Sequence, residues 1–91
     1  MTPLISIRRA DQTAILDVSG DIDLASSPVM RKVLMCEVRQ NLTPKVIGNL
    51  GQVGYIDGSG IASLAEGLKA SRDIGSRLIL CGLSPVAREV L

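Results

Sequence analysis

The sequence predicts one α/β domain, a four- or five-stranded, mostly parallel sheet with helices packed mainly on one face. Two observations lead there. Stretches of strand character alternate with stretches of helical periodicity in the order β-β-α-β-α-β-α. The strand-helix-strand units in the second part have to cross over, and right-handed crossovers lay their helices against a mostly parallel sheet. A third observation sets the size: 91 residues, 46% hydrophobic and with a net charge of +1, suit a single globular core.

The elements follow in order. "LISIRR" and "AILDVSGDI" flank "ADQT" and alternate as a strand pair about a short turn. After "DIDLA", Ser27 is placed to cap a helix with Pro28 at its first position, where a fixed φ and a missing N–H do no harm. Val29, Val33 and Cys36, with Met30, Leu34 and Val38 beside them, give this helix one wide apolar face. Asn41 and Pro44 end it, and "KVIGNL" reads as a strand, with "GQVGYID" as the link onward. In "SGIASLAEGLKASRDIG" a stripe of Ile61, Leu64, Ala65, Leu68 and Arg72 predicts a second helix stopped at Gly75. "SRLILCGL" reads as a buried strand, and "SPVAREVL" opens a last helix with Ser84 capping and Pro85 in its first turn. The domain is expected to fill residues 1–91, with that last helix cut short.

Composition excludes several functions. Ten basic against nine acidic residues, with a single tyrosine, give neither a phosphate-seeking field nor a stacking platform, so nucleic acid is not an expected partner. Apolar runs are far shorter than the roughly 20 residues a membrane span needs. "MTPLISIRRA" also lacks the pattern of an export signal. A soluble, cytoplasmic chain that inserts in no membrane is the expectation. Cys36 and Cys81, lone and without C-x-x-C spacing, are expected as small buried residues. Without histidine no Ser-His-Asp or Cys-His arrangement can form, and Asp57 stands where a G-x-S-x-G elbow needs glycine. No phosphate-loop pattern fits the glycines at 48, 51, 54, 58 and 60, and the scattered carboxylates suggest no zinc site. The chain is read as a non-enzyme needing no cofactor.

The stretch "YIDGSGIASL" then stands out: Ser59 lies between Gly58 and Gly60, directly after Asp57, where a strand gives way to a helix. Its hydroxyl can cap the helix. It can also accept a phosphate, whose oxygens would find N–H donors and the positive dipole end at the same place. The flanking glycines would leave it exposed and reachable. Spacing alone leaves both readings open.

Together with "GDIDLASSPVMRKVL" upstream and "GSRLILCGLSPVAREVL" downstream, "DGSGIASL" resembles the STAS domains of bacterial anti-sigma factor antagonists. In that family an Asp-Ser-Ser-Gly or Asp-Ser-Thr-Gly motif opens the second helix, and its third residue is phosphorylated by the anti-sigma factor, itself a serine kinase. The resemblance puts Asp57 on the motif acid, Ser59 on the acceptor and Gly60 on the motif glycine; "GDID" matches a Gly-Glu-Leu-Asp turn and brings Asp23 near the acceptor. Two departures stand in the pattern: Gly58 where the family often has serine, and Asn49 where relatives often carry aspartate.

The resemblance implies a partner switch. The unphosphorylated domain would present Asp23, Asp57, Gly58, Ser59, Gly60, Ser63 and Glu66 to an anti-sigma kinase and so release a sigma factor. Phosphate on Ser59 would place a poorly paired charge in that surface and end binding. A serine phosphatase is the further partner such a cycle implies. STAS domains also serve as subunits or appendages of membrane transporters, lipid-trafficking ABC systems and sulfate-type carriers among them, which is the alternative reading. Of the other charged residues, Arg8, Arg9, Arg31, Lys32, Lys69 and Asp73 read as a solvated face, and Ser26, Ser27 and Ser84 read as caps or turn residues.

Overall fold

A computed structural model describes residues 4–90. Strands β1 (Leu4–Ala10) and β2 (Thr13–Ile22) form an antiparallel pair, with Asp11 at φ 53° in the tight connection. Helix α1 (Ser27–Met35) runs into a π-helical turn (Cys36–Gln40). Then come β3 (Lys45–Ile56), α2 (Gly58–Asp73), β4 (Arg77–Cys81) and α3 (Pro85–Val90). The sheet has four strands in the order β1-β2-β3-β4, and β2–β3 and β3–β4 are parallel. Both crossovers step the same way across the sheet. Right-handed connections therefore put α1 and α2 on one face, where Met30, Leu34, Val38, Leu64 and Ala70 pack on Leu16, Val18, Val46, Leu50 and Leu78.

Several sequence expectations need correction. The N-cap of α1 is Ser26, and Ser27 lies inside the helix and is buried. The apolar face of α1 is narrower than expected: Met30, Leu34 and Val38 are buried, whereas Val29 is 41% exposed. In α2 the inward stripe is Gly60, Ser63, Leu64, Gly67, Ala70 and Ser71, while Ala65 and Arg72 face solvent. These small residues let the helix lie close: a Cβ on Gly67 would come 2.4 Å from Leu34 Cδ2, and one on Gly60 2.6 Å from Ile56 Cγ1. The stop at Gly75 is as expected, with φ +75° just past the helix end.

"GQVGYI" is strand, not link. It continues β3, which spends extra residues against β2 at two irregularities, between Asp17 and Ser19 and between Gly20 and Asp21. Gly51 and Gly54 lie at these places, which is where strands tolerate glycine. Nor is β4 buried: it is an edge strand, and only Leu78 is well covered. Its outward positions see solvent, so Cys81 is exposed, and Cys36 is half-buried; both are free thiols. The last helix begins at Pro85 as expected, and its end at Leu91 lies outside the described residues.

Among the described residues, one charged side chain sits in the core. Glu37 is only 1% exposed. It accepts hydrogen bonds from Arg9 on β1 and from Thr43 Oγ1 at 2.9 Å. Burial alone would push its carboxyl up, but hydrogen bonds from Arg9, Thr43 and Asn41 outweigh that and hold it below the ordinary value. Arg9 is therefore a structural residue and not merely part of a solvated face.

Candidate functional site

The two parallel crossovers start both helices at the same end of the sheet, beyond the ends of β2 and β3. Here Asp57 follows β3, and its backbone N–H donates to Ile22 O at the end of β2 (3.0 Å). Asp57, in extended conformation, is the N-cap of α2, its Oδ1 accepting from Gly60 N at 3.0 Å. Ser59 is thus not the cap. It lies in the first turn, half-buried, and its Oγ donates to the same Asp57 oxygen at 2.6 Å. Hydrogen bonds to the Asp57 carboxylate, that from the Ser59 hydroxyl foremost and that from Gly60 N next, hold its pKa below the usual carboxylate range. Through its carboxylate and its own N–H, Asp57 therefore ties the start of α2 to the end of β2.

That turn is built by Asp23 and Ser26. Asp23 Oδ1 accepts from Ala25 N and Ser26 N, each at 3.0 Å. Ser26 Oγ lies 3.0 Å from the same oxygen and accepts from Asp23 N at 2.9 Å. Hydrogen bonds from Ser26, side chain first and then backbone, depress the Asp23 pKa. Asp23 is consequently a turn-forming acid. Among the described residues it makes no hydrogen bond to Ser59; the two loops are joined by Asp57 N, which donates to Ile22 O at 3.0 Å.

The other candidates fall into place or drop out. Gly58 is exposed, its φ is not positive, and a Cβ there would meet nothing within 4 Å, so the fold does not demand glycine. Gly60 is buried against Ile56 and Ile22 and acts as a packing residue. Ser63 is buried as well, its hydroxyl donating to Ser59 O at 3.0 Å, so it is not part of the exposed surface. Glu66 is exposed, a turn or two along α2, and pairs with Arg31 of α1 at 2.6 Å. What the sequence reading missed is Leu24, 78% exposed between Asp23 and the pinned backbone. An apolar residue inside "DIDLAS" was its only signal.

With this geometry in view, comparison with known proteins becomes informative. The family model of the STAS domain matches residues 5–91. The chain belongs to the STAS domain family. Among solved structures, it is similar to the Bacillus anti-sigma factor antagonist SpoIIAA. Against the unphosphorylated form the TM-score is 0.81 at 19% identity, over 97% of this chain and 81% of that one. Against the phosphorylated form it is 0.80 at 19% identity, over 96% and 79%. An anti-sigma factor antagonist from Mycobacterium paratuberculosis gives 0.78 at 18% identity, over 98% and 74%. Mglu gives 0.75 at 22% identity, where 88% of this chain matches only 20% of the longer protein. At such identities the likeness is one of fold, which these proteins set in chains of different kinds.

No helix among the described residues is long and apolar enough to cross a membrane. Among the same residues no three His, Cys, Asp or Glu side chains gather as a metal site.

Proposed function

We propose that this STAS domain is a cytoplasmic anti-sigma factor antagonist, switched off by phosphorylation of Ser59. The observation that carries the reading is the Ser59–Asp57 pair: a half-buried hydroxyl in the first turn of α2, fixed at 2.6 Å by the carboxylate that caps the helix. Ser59 Oγ takes the γ-phosphoryl group of ATP held by the anti-sigma kinase, ADP leaves, and the proton given up already points at Asp57. That the relative SpoIIAA has been solved in unphosphorylated and phosphorylated forms supports the reading. A serine retained at this position also favours a switch over a role as a transporter subunit.

The geometry changes how the phosphate would act. One of the N–H donors expected at the helix start is already taken, because Gly60 N donates to Asp57. A phosphate on Ser59 therefore arrives against a carboxylate, and like charges at hydrogen-bond distance repel. Asp57 is driven off the cap, and because its N–H is bonded to Ile22 O, the turn before α1 is disturbed with it.

The test is a binding experiment with purified anti-sigma factors from the same genome, run on wild type, Ser59→Ala and Ser59→Asp. Ser59→Ala is expected to bind one of them and Ser59→Asp to be refused, with phosphate found on wild-type Ser59 by mass spectrometry after incubation with that factor and ATP. Equal binding of all three forms would sink the switch.

A further inference from the structure

We propose that Leu24 is the apolar anchor by which this domain docks on its protein partner, an anti-sigma factor surface offering an apolar socket rimmed by basic side chains. This rests on the function proposed above and names the residue that carries its binding.

Among the described large apolar residues Leu24 is the most exposed, at 78%; Leu42 follows at 63% and Tyr55 at 58%. Its neighbours are polar turn formers, and folding gains nothing from an apolar side chain there. The backbone beneath it is fixed from both sides. On one side Ser26 Oγ accepts from Asp23 N at 2.9 Å, and on the other Asp23 Oδ1 accepts from Ala25 N at 3.0 Å. A side chain presented on a pinned turn loses little freedom on binding, which is what an interface anchor requires.

Charge sets the partner's chemistry. Residues 19–30 and 50–63 contain Asp21, Asp23 and Asp57 and not one Lys or Arg, in a chain whose net charge is +1. Asp21 pairs in register with Tyr55 at the end of the sheet, and both are exposed. An apolar anchor set among carboxylates fits a socket with a cationic rim and does not fit an anionic membrane. Phosphate on Ser59 has the same sign as these carboxylates, so it does not act by reversing the attraction. It acts by bulk and by driving Asp57 off the helix cap, on the loop that adjoins the anchor.

The experiment measures Kd by calorimetry for each purified anti-sigma factor of the source genome. The domain is used as wild type, Leu24→Ala and Leu42→Ala, in low and high salt. Leu42 lies in the turn before β3, away from Ser59, and serves as the exposed-leucine control. Leu24→Ala is expected to weaken binding about tenfold or more. Leu42→Ala should stay within about twofold, since exposed contacts outside an anchor are near neutral. Both variants should melt as wild type does, and salt should weaken the wild-type complex. Leu24→Ala binding as tightly as wild type, or a complex indifferent to salt, overturns the proposal while leaving the antagonist function standing. Failure of wild type to bind any of the factors overturns both.

Discussion

Asn49 and Gly58, which the sequence marks as departures from the pattern it resembles, each have a local physical setting. Asn49 Nδ2 donates to Asp17 Oδ1 at 2.9 Å, and its Oδ1 accepts from Gly51 N at 3.1 Å, at the first irregularity of β3. Asp17 is also held by Arg8, whose hydrogen bond is the first cause of its lowered pKa, with Asn49 second. An aspartate at 49 would set two carboxylates against each other. Asn49→Asp is therefore expected to lower the melting midpoint near neutral pH. The new pair would share a raised pKa, so the gap to wild type should narrow as pH falls toward about 4, seen by calorimetry across pH. Gly58, with open space around it, should accept serine with less than about 0.5 kcal/mol of change. Gly60→Ala, forced against Ile56 and Ile22, should cost about 1–3 kcal/mol in denaturant unfolding. The acid, the serine and the following glycine were legible from the motif. Their division of labour was not, because Asp and Ser are both good caps and spacing cannot say which one the backbone chooses.

At the scale of the element, the least expected feature is the end of α1. The chain passes into a π-helical turn, with Asn41 N donating to Cys36 O at 2.9 Å, and Thr43 N then donates to Glu37 O at 3.2 Å. The wider turn buries Glu37 and Val38 side by side and hands Glu37 to Arg9 across the sheet edge. Because Arg9 is half exposed and can turn back to water, removing the charge costs less than breaking a fully buried pair. Glu37→Gln should destabilise by about 1–3 kcal/mol. Glu37, Asp17, Asp23 and Asp57 all have folded pKa values below their ordinary ones. Their contribution is therefore complete above the unfolded carboxylate range of about 4, and is lost as pH falls through the lower folded values. Glu37→Gln should show a shallower acid loss than wild type, and an unchanged slope in chemical denaturation at low pH would refute its role. Helix existence and order were legible because periodicity over three or more turns is a strong signal. The π turn and the strand character of "GQVGYI" were not, since a carboxylate in an apolar stripe and glycines in a strand both argue locally for something else.

At the scale of the whole molecule, the parallel crossovers account for where the candidate site lies. They set both helix starts and both acidic loops at one end of the sheet, where the two loops are joined by the Asp57 N to Ile22 O bond. The class of fold and its one-sided helices followed from the β-β-α-β-α-β-α order, while the placing of β4 at an edge did not, because an apolar run reads alike in the middle and at the border of a sheet. The strand order leaves β1 as the other border. Of its seven residues, Arg8 and Arg9 occupy opposite faces and are tied down by Asp17 and Glu37. Neighbouring copies in a crowded cell would otherwise find there a free row of amides and carbonyls flanked by Ile5 and Ile7. The two paired arginines guard that border against accretion of further strands into fibrils, so the ion pairs that look like surface decoration work against self-association along a side of the sheet that the candidate site does not use.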